Sequence, residues 1–263
     1  MYFTKMHGLG NDYLYVYGEV PDNIAELSQK LSERHFGAGA DGMIYISPSA
    51  AADFKMRIFN ADGSEAKMCG NGIRCVGKYV YDKGYTDKTQ LTVETLSGIK
   101  KLDMQVRSGK IKSVTVDMGP VEVGADIELS AGGRTVIGTP VSVGNPHFVI
   151  FVDDIEAAPL YTLGPLLEKH EAFPDGVNVE FVQPLEEGRL RMRVWERGSG
   201  VTLACGTGAC ASAAAAAKKG YCRPYPPVPV ELDGGVLEIT VGNGENVMMS
   251  GPAETVYEGE CAI

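Results

Sequence analysis

Apolar residues alternate with polar ones, or run together, in short segments that predict β-strands along most of the chain. In the first half these strands are expected at residues 2–7, 13–17, 43–46, 54–59, 90–94, 100–107 and 113–118. In the second half they are expected near residues 228–232, 236–241 and 246–249. Polar segments rich in glycine separate the strands, which is typical of turns. The pattern therefore predicts a protein dominated by β-sheet.

Three segments have the spacing of helices instead. Ile24, Leu27 and Leu31 lie on one face of residues 24–35, which predicts an amphipathic helix. Residues 73–82 predict a second helix, and residues 209–219 predict a third that is apolar on every side and therefore buried. A membrane span requires about 20 apolar residues, and the longest mainly apolar run, residues 209–217, is shorter than that.

The second half of the chain repeats the first. The motif Cys69-Gly70-Asn71-Gly72 recurs 136 residues later as Cys205-Gly206-Thr207-Gly208. Three further echoes keep the same order: Gly10-Asn11 with Gly144-Asn145, Asp41-Gly42 with Asp175-Gly176, and Gly119-Pro120 with Gly251-Pro252. Such order and spacing predict an internal duplication. We expect domains at residues 1–117, with 253–263 returning to it, and 118–252, each a curved sheet wrapped around one helix.

Composition narrows the classes of function. The chain has 263 residues, of which 44% are hydrophobic and 22% charged, as in globular proteins. Its net charge of −10 argues against nucleic acid or an anionic membrane as a partner. The amino-terminal strand shows no signal-peptide pattern. Six cysteines in a chain of this length favour free thiols, so a cytoplasmic location is expected.

The duplication separates two cysteines from the other four. Cys69 and Cys205 occupy equivalent positions just before a predicted helix, where free backbone N–H groups and the helix dipole favour the thiolate and bind anions. The flanking glycines are expected to leave both sulfurs accessible. Small buried residues are expected at the remaining positions, which are Cys75, Cys210, Cys222 and Cys261.

Other cysteine chemistries fit less well. A zinc site requires a different Cys or His spacing, and the Cys-x-x-Cys of a redox dithiol is absent. A Cys–His nucleophile needs one sulfur and leaves the second unexplained. Two thiols suit the inversion of a carbon stereocentre, in which a thiolate removes a proton from one face and a thiol delivers another to the opposite face. Gly70-Asn71 and Gly206-Thr207 would then offer N–H groups to the charge that develops.

Four motifs carry a resemblance to a known family, at residues 3–12 (FTKMHGLGND), 60–75 (NADGSEAKMCGNGIRC), 144–147 (GNPH) and 196–208 (ERGSGVTLACGTG). They resemble diaminopimelate epimerase, and the resemblance extends over the whole chain. It implies an α+β fold of two pseudo-symmetric lobes, each a barrel-like, mostly antiparallel sheet around a central helix, with the active site in the cleft between lobes. It also implies a cofactor-independent isomerase that interconverts LL- and meso-2,6-diaminopimelate for lysine and peptidoglycan synthesis.

The resemblance also assigns roles to residues. It implies Cys69 and Cys205 as the acid/base pair, with Cys205 accepting the proton in the LL-to-meso direction, and His147 and Glu196 as groups that adjust the thiol pKa values. The implied substrate-binding residues are Asn11, Asn60, Gly70, Asn71, Asn145, Asn178, Glu196, Arg197, Gly206 and Thr207. Asn11 and Asn145 correspond in the duplication, whereas Asn178 rests on the resemblance alone. At Gly42 some members carry a larger polar side chain.

Two rival functions remain. A proline racemase-like enzyme would use a similar fold and two cysteines, but such enzymes tend to have His where this chain has Asn71, and a different motif where it has Thr202-Leu203-Ala204. A non-catalytic thiol or metal-binding module is the rival from another class. No nucleotide, pyridoxal or metal cofactor is expected, since no convincing glycine-rich nucleotide loop occurs. The resemblance further suggests a homodimer.

Overall fold

The computed structural model describes residues 1–223, 225–242 and 246–262. The chain divides into two compact units. Unit 1 consists of Met1–Val116 together with Gly251–Ile263, and unit 2 consists of Asp117–Ser250. The carboxy-terminal segment therefore belongs to the unit that the amino terminus begins.

Strands dominate both units, as the hydrophobic pattern predicts. In chain order they are β1 (Tyr2–Gly8), β2 (Asn11–Tyr17), β3 (Gly42–Ser47), β4 (Phe54–Asn60), β5 (Glu65–Ala66), β6 (Gln90–Thr95), β7 (Gly98–Arg107), β8 (Lys110–Gly119), β9 (Glu122–Val123), β10 (Ile127–Ala131), β11 (Arg134–Ser142), β12 (Pro146–Phe151), β13 (Asn178–Pro184), β14 (Leu190–Glu196), β15 (Gly200–Val201), β16 (Val228–Leu232), β17 (Gly235–Val241), β18 (Val247–Gly251) and β19 (Glu254–Glu260). The α-helices are α1 (Ile24–Ser32), α2 (Gly70–Asp82), α3 (Leu160–Glu168) and α4 (Gly206–Lys219). A 3-10 turn covers Glu186–Gly188.

The order of strand pairing is the same in the two units. In unit 1, β1 pairs antiparallel with β19 and β2, β2 pairs parallel with β3, β3 pairs antiparallel with β4, β4 pairs parallel with β6, and β6 pairs antiparallel with β7. In unit 2, β11 pairs antiparallel with β9 and β12, β12 pairs parallel with β13, β13 pairs antiparallel with β14, β14 pairs parallel with β16, and β16 pairs antiparallel with β17. This match confirms the predicted internal duplication.

One helix in each unit is buried along nearly its whole length. In α2 the residues from Asn71 to Val80 are buried, and α2 packs on β1, β2 and β7. In α4 the small side chains from Gly208 to Ala216 are buried, and the helix contacts β9, β11, β12, β13, β14, β16 and β17. Because alanine and glycine add little bulk, strands can approach such a helix from several sides. The predicted mostly antiparallel sheet around a central helix is confirmed in each unit.

The smaller helices cover a second core. Ile24, Leu27 and Leu31 of α1 join Met43 and Phe59 in the apolar cluster of unit 1. In unit 2, α3 supplies Leu160, Leu163 and Leu167 to a corresponding cluster. None of the helices in the described part of the chain is long and apolar enough to cross a membrane.

Three details of the predicted elements are wrong. The first helix ends at Ser32 rather than at residue 35, because Glu33 is extended (φ −60°, ψ 127°) and its carboxylate accepts the N–H groups of His35 and Phe36. The two central helices begin at Gly70 and Gly206, three residues earlier than the apolar pattern indicates. Glycine, asparagine and threonine are poor helix formers, so the pattern of apolar residues does not predict the first turn of either helix.

The third detail concerns the strand correspondence. Leu14 pairs with Met43 in unit 1, and Phe148 pairs with Val179 in unit 2. This register makes Gly42 equivalent to Asn178, and not to Gly176 as the echo of Asp41-Gly42 with Asp175-Gly176 indicates. The segment between β12 and β13 holds two more residues than the segment between β2 and β3, so the offset between equivalent residues changes by two from β12 to β13.

Candidate active site

The two equivalent cysteines close the first turns of the two central helices. Cys69 is extended (φ −139°, ψ 115°), and its Sγ accepts the N–H of Gly72 at 3.3 Å. Cys205 has nearly the same conformation (φ −113°, ψ 110°), and its Sγ accepts the N–H of Gly208 at 3.3 Å. A side chain that accepts this bond is an N-cap. The predicted placement of both sulfurs at a helix start is confirmed.

An amide and a carboxylate orient the Cys69 thiol. The Cys69 Sγ donates to Asn11 Oδ1 at 3.2 Å, while Asn11 Nδ2 donates to Asp41 Oδ2 at 2.9 Å. The Asp12 backbone N–H also donates to this Asp41 oxygen, at 3.1 Å, and Arg34 lies 2.9 Å from the other one. Burial raises the pKa of the Asp41 carboxyl above its usual range. Asp41 therefore fixes the Asn11 amide with its oxygen toward the sulfur.

A buried cation holds the first turn of α2. Arg74 is fully buried and donates to Asn71 Oδ1 at 3.0 Å, to the Gly70 carbonyl at 3.2 Å and to the Pro252 carbonyl at 3.1 Å. Asn71 is itself 4% exposed. Because its amide oxygen is occupied by Arg74, the orientation of the Asn71 side chain is fixed.

A chain of hydrogen bonds leads from strand β13 to the Cys205 thiol. Glu180 Oε1 lies 2.7 Å from His147 Nδ1, and both side chains are fully buried. His147 Nε2 lies 3.1 Å from Asn145 Oδ1, and Asn145 Nδ2 donates to Thr207 Oγ1 at 3.3 Å. Thr207 Oγ1 lies 3.6 Å from Cys205 Sγ. His147 is thus connected to the sulfur through Asn145 and Thr207.

The electrostatics of Cys205 correct the expectation from the sequence. Burial, followed by the carboxylates of Glu196 and Glu180, holds the pKa of the Cys205 thiol well above its usual range. The hydrogen bonds from Thr207 and Gly208 act in the opposite direction, but the other causes outweigh them. The prediction that both sulfurs are accessible is wrong for Cys205, which is only 5% exposed, whereas Cys69 is half-buried. A helix start therefore does not by itself lower a thiol pKa in this environment.

Glu196 ends strand β14 close to the same sulfur. Thr202 Oγ1 donates to Glu196 Oε1 at 2.5 Å. Burial raises the pKa of the Glu196 carboxyl, and the Glu180 carboxylate raises it further. Hydrogen bonds from Thr202 and Cys205 and the charge of His147 partly offset this shift. The charges of Glu180 and His147 thus act on the Glu196 carboxyl, and those of Glu196 and Glu180 act on the Cys205 thiol.

Three further residues that the resemblance implies are partly occupied by contacts within the protein. Asn178 Nδ2 donates to the Pro146 carbonyl at 2.9 Å, and its Oδ1 accepts the Arg197 backbone N–H at 3.0 Å. Arg197 Nη1 donates to the Asp175 carbonyl at 2.8 Å, and Asn60 Nδ2 donates to Ser64 Oγ at 3.1 Å. Asn178 therefore joins the start of β12 to the turn that follows β14.

None of the six cysteines forms a disulfide bond, and three of the four outside the pair are buried as predicted: Cys75, Cys210 and Cys222. Cys261 differs, because it is half-buried in the carboxy-terminal segment. Within the described ranges, no group of three or more His, Cys, Asp or Glu side chains is arranged to hold a metal ion.

The chain matches the family model for diaminopimelate epimerase over residues 3–124 and 139–256. The chain belongs to the diaminopimelate epimerase family. A diaminopimelate epimerase of Bacillus licheniformis is 51% identical over 279 residues, which cover 99% of this chain and 98% of the relative. One of Methanococcus maripaludis strain C5 is 50% identical over the full length of both chains, and one of Bacillus subtilis strain 168 is 49% identical over 98% of this chain and 97% of its own. The chain is therefore an epimerase, an enzyme of the isomerase class.

Solved structures share the fold at low identity. A probable proline racemase from Agrobacterium radiobacter K84 superposes with a TM-score of 0.75 at 18% identity, over 100% of this chain and 93% of that one. A phenazine biosynthesis protein of the PhzF family from Bacillus anthracis gives 0.77 at 16% identity, over 100% and 99%. The fold of the diaminopimelate epimerase family is thus shared with proteins of other names.

Glu180 is not among the site residues that the sequence predicts. Its signal is present in the strand β13, where one charged residue stands among the buried apolar residues Val179, Phe181 and Val182. Charged residues are almost never fully buried without a partner, so such a position indicates a paired group. The pairing with His147 could not be read from the sequence, because 33 residues separate the two.

Gly42 has a structural reason to remain glycine in this member of the family. A Cβ added there would lie 2.2 Å from the Phe59 carbonyl oxygen and 3.0 Å from the Tyr13 ring. Its φ of +157° is also one that residues with a side chain rarely adopt. A larger polar side chain at this position would require the start of β3 to shift away from β4.

Proposed function

We propose that this chain interconverts LL- and meso-2,6-diaminopimelate, in lysine and peptidoglycan precursor synthesis, with Cys69 and Cys205 as the acid and base on one stereocentre. The observation that carries the proposal is the equivalence of the two sulfurs. Each caps the central helix of its unit and accepts one backbone N–H at 3.3 Å. Two such groups suit a reaction in which each takes one proton role.

The surroundings of the two sulfurs suit opposite roles. Cys69 donates its S–H to Asn11 Oδ1, as a thiol that delivers a proton should. At Cys205 the raised pKa makes the thiolate, once formed, a stronger base toward a weakly acidic carbon proton. We therefore assign Cys205 as the acceptor and Cys69 as the donor in the LL-to-meso direction, with the roles reversed in the other direction.

Backbone donors support the negative charge that develops on the substrate carboxylate. The first N–H groups of an α-helix have no partner within the helix, and they favour anions. We propose that Gly70, Asn71, Gly206 and Thr207 bind the reacting carboxylate in this way, and preorganised donors of this kind are a large source of catalysis. The remaining proposed substrate-binding residues are Asn11, Asn60, Asn145, Asn178, Glu196 and Arg197. The mechanism requires no cofactor.

Isotope exchange tests the proposal. Purified protein is incubated with LL-diaminopimelate in deuterated water, and loss of the α-proton signal is followed by NMR together with formation of the meso isomer. L-Proline is the parallel substrate. Exchange with diaminopimelate alone supports the proposal, whereas exchange with proline alone would favour the proline racemase-like alternative. Absence of exchange with both would reject a racemase function for this chain.

We further propose that the units act as two domains, residues 1–117 with 253–263 and residues 118–252, in a cytoplasmic homodimer. Six cysteines without a disulfide bond are consistent with a reducing compartment. Light scattering coupled to gel filtration decides the oligomeric state: a single species at twice the 28.1 kDa of the chain is expected, and one at 28.1 kDa would reject the dimer.

A further inference from the structure

The surroundings of Cys69 in unit 1 and of Cys205 in unit 2 differ at two equivalent strand positions. The strand register that makes Leu14 equivalent to Phe148 and Met43 equivalent to Val179 also places Tyr13 at the position of His147 and Ile44 at that of Glu180. Unit 1 therefore has a phenol and an apolar side chain where unit 2 has a buried histidine–glutamate pair. The pair is not required by the fold, since unit 1 forms the same strands without it.

The hydrogen bonds of His147 limit where the protons of this pair can lie. Asn145 donates its amide N–H to Thr207, so the amide oxygen is the atom that faces His147 Nε2 at 3.1 Å. An amide oxygen only accepts, so Nε2 carries a proton. His147 Nδ1 faces Glu180 Oε1 at 2.7 Å. Two arrangements satisfy this contact: an imidazolium that donates to a Glu180 carboxylate, or a neutral imidazole that accepts from a protonated Glu180 carboxyl.

The environment of Glu180 favours the arrangement with an imidazolium. The side chain is fully buried, and its second oxygen, Oε2, has no hydrogen-bond partner. Compensation of its charge therefore depends on the contact with His147, because an unpaired buried carboxylate is costly. The other titratable groups that act on the cluster are Glu196 at the end of β14 and Cys205 at the start of α4. Both become negative when ionised, so a cation among them is favourable.

We propose that Glu180 is a positioning residue that keeps His147 doubly protonated, so that His147 holds Asn145 with its NH2 toward Thr207 and Cys205. This inference rests on the proposed function for its consequence. At Cys69, Asn11 presents an acceptor oxygen, which favours S–H. At Cys205, the Asn145 amide donates to Thr207 Oγ1, which leaves the Thr207 hydroxyl proton free to point at Sγ and favours the thiolate.

Nitrogen NMR of the histidines tests the inference without reference to activity. The chain has four histidines, and protein labelled with ¹⁵N-histidine gives long-range ¹H–¹⁵N correlations that distinguish imidazolium from each neutral tautomer. The His147 signals are assigned by their loss in His147→Gln. At pH 8, wild-type His147 should show two protonated nitrogens. In Glu180→Gln it should show one protonated and one unprotonated nitrogen, because the paired charge is gone.

Two further variants make the experiment specific. Glu171→Gln removes an exposed carboxylate of unit 2 and should leave the His147 signals unchanged. Glu180→Asp keeps the charge and should retain the imidazolium pattern. Neutral His147 in the wild type at pH 8, or an imidazolium that persists in Glu180→Gln, would overturn the proposal. The wild-type spectrum decides this even if Glu180→Gln fails to fold.

A kinetic profile distinguishes positioning from a structural role. Under the proposal, loss of the Glu180 charge releases the Asn145 orientation that favours the thiolate, so the rising limb of kcat/KM against pH in the LL-to-meso direction should move to higher pH. Removal of a carboxylate near Cys205 by itself would move the limb to lower pH, so a shift in that direction would contradict the positioning role. An equal loss at every pH without a shift would indicate a structural role only and would contradict the proposal. If the wild type does not epimerise diaminopimelate, the proposed function fails, while the NMR result still decides the state of the pair.

Discussion

The chemical environment of a cysteine in this protein depends on whether the residue lies at the start of a helix or inside it. Cys69 and Cys205 precede α2 and α4 and accept a backbone N–H, whereas Cys75 and Cys210 lie inside those helices. A thiol within a packed helix behaves as a small apolar group. A thiol at the N-cap has the free N–H groups of the first turn beside it. The two positions therefore differ in chemistry although the residue type is the same.

Removal of either N-cap thiol should abolish epimerisation. Cys69→Ala and Cys205→Ala should each lower α-proton exchange with diaminopimelate by at least about 100-fold, since each removes one proton-transfer group. Cys261→Ala, which removes a half-buried thiol outside the pair, should retain wild-type exchange. Exchange in deuterated water followed by NMR is the measurement. Wild-type turnover in either N-cap variant would exclude the two-base mechanism.

The charge of Glu196 should set the pH dependence of the reaction. Burial and Glu196 are the first two causes that raise the pKa of Cys205, so Glu196→Gln should lower that pKa. The thiolate then forms at lower pH, and the rising limb of kcat/KM in the LL-to-meso direction should move to lower pH. The pH profile of initial rates measures this, with Glu171→Gln as the control. A limb that stays in place, or moves to higher pH, would show that Glu196 does not act on Cys205 through its charge.

At the scale of elements, the repeated unit is a mostly antiparallel sheet around a helix that tolerates little volume. In α4 five alanines between Ala209 and Ala216 are completely buried, and in α2 a Cβ on Gly77 would lie 2.9 Å from Leu102. The close approach of the strands is possible because these side chains are small. The same closeness keeps each helix start, and its cysteine, in a fixed position.

Enlarging a buried residue of α4 should destabilise the fold. Ala213 is 0% exposed, so Ala213→Leu places three additional carbon atoms among packed strands. Overpacking of this kind costs about 1–3 kcal/mol. Urea unfolding should show a correspondingly lower midpoint, whereas Ala157→Leu at an exposed position should unfold as the wild type does. Equal midpoints for Ala213→Leu and the wild type would mean that α4 is less tightly enclosed than described.

For the whole molecule, the duplication supplies one thiol from each unit to the proposed reaction. If both sulfurs serve one stereocentre, mild oxidation should join Cys69 to Cys205 and inactivate the enzyme. The count of free thiols should fall from the six of the reduced chain to four, and a reducing agent should restore both count and activity. Peptide mapping identifies the linked pair. Oxidised, inactive protein that retains all six free thiols would disprove this expectation.

The sequence by itself determined the duplication, the strand-rich fold and the choice of Cys69 and Cys205, because a repeated motif at nearly constant spacing is a property of the order of residues. Tertiary structure alone decided the direction in which the pKa of the Cys205 thiol is shifted. Burial and the carboxylates of Glu180 and Glu196 raise its pKa against the effect of the helix start. Those carboxylates lie 25 and 9 residues away along the chain, and only the packing of β13 and β14 against α4 brings their charges to the sulfur.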